Sequence, residues 1–161
     1  MSRGAPSSQV EFNAAAVAEC KIEIHAPLER VWGIQTKIDR WSDWNSDIQR
    51  SKLDGPLAVG SVFHWKSGGA SIVSTLTQIE PMRALAWTGK AFGVRAAHTW
   101  TFRQQGETVF VETRESFDGW WPRLIPGVTR RMLETSLTKW LRNLKQAAEA
   151  EIMGGADRGA A

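Results

Sequence analysis

The chain has 161 residues, of which 42% are apolar and 23% charged, enough for one globular domain with a sizeable core. Twenty lysines and arginines nearly balance 17 aspartates and glutamates, leaving a formal charge of +3 and no long basic run, so no nucleic-acid partner is expected. No stretch of about 18 apolar residues is present to insert across a membrane, and the one cysteine, Cys20, excludes an internal disulfide.

Residues 1–17 read as a flexible lead-in, polar at first and without the apolar core of a signal peptide, so the expected compartment is the cytoplasm. Over 18–25, Cys20, Ile22 and Ile24 alternate with Glu19, Lys21 and Glu23, the period of a half-buried strand. Cys20 reads there as a small buried filler rather than a nucleophile. Ala26-Pro27 ends the strand, and Pro27 suits the first turn of a helix on which Leu28, Val31 and Trp32 share a face. A second short helix runs through Ile38, Trp41 and Trp44, and 47–53 reads as a further strand before the breakers Gly55, Pro56 and Gly60. An antiparallel meander follows, with strands over 61–66, 71–79, 84–88, 94–103 and 107–117. Its turns fall at Ser67-Gly68-Gly69, at Pro81-Met82-Arg83, around 89–93 and at Gln105-Gly106. Beyond Trp120-Trp121-Pro122 a helix reaches about Met153, with Val128, Met132, Leu133, Leu137, Trp140, Leu141, Leu144 and Ala148 at helical spacing. Residues 154–161 read as a disordered tail.

The order is strand, two short helices, about six strands and one long helix. This predicts an α+β fold in which a curved antiparallel sheet wraps a C-terminal helix and buries both apolar faces. Nine tryptophans and no tyrosine accompany it. Indole is large, apolar and carries one donor N–H, and such rings along a strand-rich shell predict a hollow interior for a hydrophobic small molecule.

The ordered motifs are Ile22-x-Ile24-x-Ala26-Pro27-x-x-x-Val31-Trp32, Asp39-x-Trp41-x-x-Trp44, Gly60-x-x-Phe63-x-Trp65, Ile79-Glu80-Pro81 and Leu85-x-Trp87-x-Gly89. His98-x-Trp100-x-Phe102, then Gly106, Thr108 and Val109 ahead of Glu115, and Trp140-Leu141-x-x-Leu144-Lys145 complete the set. Over 18–153 the chain resembles the START/Bet v 1-like (SRPBCC) superfamily of helix-grip folds, and within it the polyketide cyclase/dehydrase family. The resemblance implies a cavity for a polyketide- or lipid-like ligand. It spans cyclases, carriers, hormone-type receptors and chaperone cofactors, so fold alone does not choose the activity.

The last hairpin supplies the sharpest geometry. With the turn at Gln105-Gly106, Gln104 lies opposite Glu107, and one face collects Ala96, His98, Trp100, Phe102, Val109, Val111, Thr113, Glu115 and Phe117. Asn45 and Trp44 come from the short helices that close one end of the shell, and Trp120 and Trp121 sit near the expected mouth as an aromatic rim. His98 and Glu115 are its polar exceptions, diagonal neighbours able to act as an acid/base pair or simply to satisfy each other. In the preceding hairpin Leu76 falls near Trp87 and Gln78 near Leu85, so Ile72, Ser74, Leu76, Gln78, Leu85 and Trp87 face inward. Phe63 and Trp65 are placed inward as well and His64 outward, a facing that a one-residue bulge reverses.

The expected ligand-binding set is Trp44, Phe63, Trp65, Leu76, Trp87, Trp100, Val111, Thr113, Phe117, Trp120, Leu133 and Leu137, with Glu115 and His98 as the catalytic candidates. Trp32, Trp41 and Trp140 read as core anchors. Phosphate loops, dinucleotide fingerprints and zinc-helix motifs are missing from the sequence. Three histidines far apart argue against a metal, and no cofactor is expected. Three readings stay open: a carrier or sensor of a hydrophobic ligand, a cyclase/dehydratase using Glu115 and His98, and a chaperone-cofactor-like interaction domain. The oligomeric state is open too.

Overall fold

The computed structural model describes residues 13–156. The lead-in over 1–12 and the tail over 157–161 lie outside the described residues. Strand β1 (Ala16–Ile24) is followed by α1 (Leu28–Thr36), a 3-10 turn (Ile38–Arg40) and α2 (Trp41–Trp44). Strands β2 (Ile48–Asp54), β3 (Val62–Ser67), β4 (Ala70–Glu80), β5 (Ala84–Ala91), β6 (Val94–Gln105) and β7 (Thr108–Gly119) come next. Helices α3 (Trp120–Leu124) and α4 (Pro126–Ala156) close the chain. All neighbouring strands are antiparallel, and the seven-stranded sheet has the order β1-β7-β6-β5-β4-β3-β2. Helix α4 packs along β1 and β7 and is met by α1 and α2. This is the helix-grip arrangement.

Local chemistry explains the boundaries and corrects several of them. Strand β1 begins two residues before the expected start, because Ala16 and Val17 pair with Phe117 and Ser116. Helix α4 runs through 154–156, beyond its expected end. The last hairpin turns on Gly106-Glu107 rather than on Gln105-Gly106, since Gln105 pairs with Thr108 and Gly106 takes the positive φ of 61° that a tight hairpin asks of its first loop residue. The register therefore moves by two residues, which leaves every side chain on its expected face but puts His98 directly opposite Glu115 rather than diagonal to it. In the β4–β5 hairpin a bulge between Leu76 and Gln78 has the larger effect. It turns Gln78 outward toward Glu80, and Ile79, paired with Leu85, packs on the core instead.

The core is an interlocked set of rings around Trp41, which is wholly buried. Phe63, Trp65, Trp87 and Trp140 lie 5.1–5.9 Å from it, mostly edge-to-face, the arrangement aromatic quadrupoles favour. Buried Gln35, at the end of α1, locks the set. Its backbone carbonyl accepts from Trp41 Nε1 at 2.9 Å, and its side-chain oxygen accepts from Trp140 Nε1 at 3.3 Å. One residue thus fixes α1, α2 and α4 against the sheet.

Replacing Trp41 by alanine is expected to destabilise the fold by about 3–5 kcal/mol, the usual loss for a large buried ring. Urea unfolding should show it as a lower midpoint at unchanged slope. A change below about 1 kcal/mol would mean that the ring cluster does not hold the helices.

Candidate functional site

Side-chain size changes from row to row across the sheet, and that gradient makes a void. In one row Ser74, Gly89 and Ala96 are consecutive partners on β4, β5 and β6. In the next, Leu76, Trp87, His98 and Glu115 are partners across β4 to β7. The row beyond holds Ile79, Leu85, Trp100 and Thr113. Large groups fill the sheet–helix space in the last two rows. The small row leaves a cavity of about 430 Å³ between the sheet and the N-terminal half of α4. Gly89 is needed there by close approach, since a Cβ would sit 2.9 Å from Ser74 Oγ.

The rings of Trp65, Trp87, Trp121 and Trp140 form much of the wall, with Ile72, Phe117 and Leu133. The opening lies among the β3–β4 turn at Gly68, the β5–β6 turn at Phe92, the loop after α2 at Asp47, and Met132 and Ser136 on α4. An ion pair between Lys139 and Asp47 and a 3.0 Å hydrogen bond from Asn143 Nδ2 to Asn45 Oδ1 tie α4 to that loop. Such a volume suits a small, mainly apolar molecule.

Among the described residues that line the cavity the acidic groups are Asp47 at the opening and Glu115 on the inner wall, and the row behind Glu115 sets its chemistry. Thr113 Oγ1 donates to the Thr99 carbonyl at 3.1 Å and lies 2.7 Å from His98 Nε2. The hydroxyl proton is thereby used, so Nε2 carries the imidazole proton and donates to Thr113. Nδ1 is then a bare acceptor without a hydrogen-bond partner, 3.5 Å from Glu115 Oε1. Burial pushes Glu115 up to about 8 and His98 down to about 3, because a low-dielectric surrounding disfavours either charged form. At neutral pH the contact is a carboxylic acid facing a neutral imidazole, not an ion pair. At 3.5 Å the acid proton is not committed to the imidazole, and it is within reach of a guest in the cavity.

Several expected site residues lie elsewhere. Trp65, Trp87, Glu115, Phe117 and Leu133 line the cavity. His98 does not: it is buried between Trp87 and Trp100, with ring centroids 4.6 and 5.3 Å away. Phe63, Leu76, Trp100, Val111 and Thr113 are packed solidly in the core because their rows are full. Leu137 belongs to a small cluster with Ala16, Ala18 and Leu133. Trp44 is half-buried on the far side of α2, over a surface groove shared with Arg30 and Lys37. Trp120 projects into solvent, and its neighbour Trp121 turns to the cavity instead, since adjacent helical residues point in different directions.

Gly89 was missed by the sequence reading; Ala96 on the inward face, Asn45 at the end of the shell and Trp121 near the mouth were read there but left out of the binding set, and Trp140 proves to be both anchor and wall. A row of small residues at matched strand positions was the available signal, but it shows only once the hairpin registers are known. Among the described residues no group of three His, Cys, Asp or Glu could hold a metal. No described helix is long and apolar enough to cross a membrane.

Residues 15–149 match the family model described as polyketide cyclase / dehydrase and lipid transport. The chain belongs to that family. No curated protein matches the sequence. Among solved structures, protein jhp0584 from Helicobacter pylori is similar with a TM-score of 0.77 at 16% identity, over 89% of this chain and 94% of that one. The Zhui aromatase/cyclase from Streptomyces sp. R1128 has a TM-score of 0.71 at 17% identity, over 84% of this chain and 94% of that one. DynU16, from the dynemicin biosynthetic locus, has a TM-score of 0.67 at 20% identity, covering 83% of this chain and 47% of the other. At these identities the likeness is one of fold.

The two shifted groups give a signed pH dependence. Between pH 4.5 and 6.5 the folded state holds a proton on Glu115 that the unfolded chain lacks, and the unfolded chain holds one on His98 that the folded state lacks, so the effects cancel. From pH 6.5 to 8 only Glu115 differs, and stability falls as pH rises, by at most about 1.4 kcal/mol per pH unit. Thermal melts of the wild type against Glu115→Gln should show this decline in the wild type alone. Parallel curves over that window would mean that Glu115 ionises normally.

Proposed function

We propose that this member of the family binds a hydrophobic, aromatic or polyketide- or lipid-like small molecule in the cavity between the sheet and α4, as a carrier or sensor. The observation that carries the reading is the void itself: about 430 Å³ walled by indole rings, open to the surface. A tightly packed interior gains dispersion energy that an empty space forgoes. Here the small row Ser74, Gly89 and Ala96 keeps open a space that larger side chains would close. The ligand of this reading is flat or chain-like, apolar over most of its surface, with an oxygen able to accept from the Glu115 acid proton.

One observation favours a second reading, a cyclase or dehydratase-like activity. A carboxyl held at about 8 beside a cavity is poised for proton transfer near neutral pH. In an aldol closure of a bound polyketone, Glu115 as acid gives its proton to the oxygen of the carbonyl that is attacked. The new carbon–carbon bond forms, and the carboxylate left behind takes the proton released from the attacking carbon. The carboxyl ends as it began. His98, shielded from the cavity, supports Glu115 from behind as a positioning residue. The likeness in fold to an aromatase/cyclase is consistent with this reading without selecting it. The chaperone-cofactor reading has less support, since the outer faces of β6 and β7 carry Arg103, Glu112 and Arg114 rather than a broad apolar strip.

Ala96→Phe tests the binding reading by filling the void from the sheet. Quenching of tryptophan fluorescence by polycyclic aromatic probes, and native mass spectrometry for co-purifying small molecules, should both lose their signal, with affinity down at least about tenfold. The melting temperature should hold or rise. Undiminished binding in the folded variant would place the ligand elsewhere. Glu115→Gln separates the two readings. Probe binding retained with turnover of a model polyketone cut by about a hundredfold or more supports catalysis, and the absence of turnover in the wild type leaves the carrier.

A further inference from the structure

The surface around the cavity opening has a chemistry that folding does not require. Phe92 and Gly93 form the two-residue turn between β5 and β6, with φ of 49° and 71°. Both central positions of such a turn need positive φ, and asparagine followed by glycine is the usual solution. A phenylalanine in the left-handed region is strained, and here the residue is also 75% exposed. Neither feature helps the fold. Beside the turn, Trp120 Nε1 would lie 3.3 Å from a Cβ on Gly93, so the Trp120 indole sits against the hairpin tip. A Cβ on Gly119 would fall 2.6 Å from the Gly93 carbonyl oxygen, and glycine there lets the end of β7 approach so closely. The apolar surface continues from Trp120 through Leu124 and Ile125 to Val128 and Met132, with Trp120 at 68%, Leu124 at 73% and Val128 at 64% exposure. It also joins the cavity, because Phe92 and Met132 belong to both.

Basic groups outnumber acidic ones on this surface, and Asp47 at the opening is paired with Lys139. Between Asp118 and Glu134 the chain has no acidic residue, while Arg123, Arg130 and Arg131 are interleaved with the exposed apolar side chains. Lys90 adds a further cation at the opening. Asp118, at the edge, pairs with Arg95 and Arg123, and Glu134 with Arg130; these pairs offset part of the positive charge, and Lys90, Arg95 and the three helix arginines still exceed the two acids. Large aromatic and aliphatic tips interspersed with arginine, on protruding turns and a helix start, match the boundary between headgroups and acyl chains. An anionic leaflet supplies the complementary charge.

We infer that the β5–β6 tip, α3 and the start of α4 dock this protein peripherally on a bilayer containing anionic lipids, with the cavity opening facing the membrane. The tip and helix start enter the interface and no segment crosses it. This goes beyond the ligand-binding reading and uses it only to explain why the docking face surrounds the opening.

Flotation of the full chain with vesicles of phosphatidylcholine, alone or mixed with phosphatidylglycerol, is the test. The wild type should float with the mixed vesicles at low salt, bind the neutral ones far less, and dissociate as salt rises. Phe92→Asn restores the preferred turn pair, so it should melt no lower than the wild type and yet bind mixed vesicles about tenfold more weakly. Arg130→Gln with Arg131→Gln should weaken binding by about twentyfold to thirtyfold, the loss of two arginines at an anionic surface. Ala96→Phe, with its cavity filled, should bind vesicles as the wild type does, so docking and ligand binding can fail separately. Absence of flotation with mixed vesicles, or full binding by Phe92→Asn, would overturn the proposal. So would a concentration-dependent dimer in light scattering that Phe92→Asn abolishes, because the surface would then belong to a second copy of the chain.

Discussion

The structure depends on how far α4 is held from the sheet, and Gln35 with Trp41 and Trp140 sets that distance. Gln35 accepts from two indole N–H groups of different elements, Trp41 at its backbone carbonyl and Trp140 at its side-chain oxygen, which ties both rings to the end of α1. The rings so fixed are too large to let helix and sheet close further. At their end of the molecule they fill the gap themselves. At the other end, where the facing row is Ser74, Gly89 and Ala96, the same spacing has nothing to fill it. Cavity and core are thus two consequences of one separation.

The polar row between these regions explains how an acid stays neutral beside a histidine. Charge separation across His98 and Glu115 would need solvation that Trp87, Trp100 and Trp140 cannot provide. Each group keeps its uncharged form because the alternative is a pair of poorly solvated ions. Thr113 completes the arrangement by fixing which imidazole nitrogen carries hydrogen. The result is a proton donor presented to a largely apolar cavity, useful to a binder as an anchor for a ligand oxygen and to an enzyme as an acid.

Much of the architecture was legible in the residues. Period-two alternation located β1 and the meander, glycine-bearing turns separated the strands, and helical spacing marked α4. The facing of His98 and Glu115 could be read because an even shift in register preserves sidedness, whereas that of Phe63 and Trp65 was left open until the β3 pairing was known. Depth could not be read in the same way. Trp100 and Trp87 have the same pattern in the sequence, yet one is sealed in the core and the other borders the void. Trp120 and Trp121 differ by one step along a short helix and end in solvent and in the cavity wall. The bulge in β4 exchanged Gln78 for Ile79 with no local signature to announce it.

Strand order, the closing helix and the apolar face of each element follow from local periodicity, because alternation and helical repeat depend on neighbours a few residues away. Where the interior is full and where it is empty is a property of rows that run across the sheet, joining residues as distant as Ser74, Gly89, Ala96 and Phe117. Those rows exist only when every hairpin has chosen its register and α4 has been pinned at its height. The position of the cavity, the isolation of His98 from it and the ring of exposed side chains at its opening were therefore decided by tertiary packing, through the volume each row leaves beneath the helix.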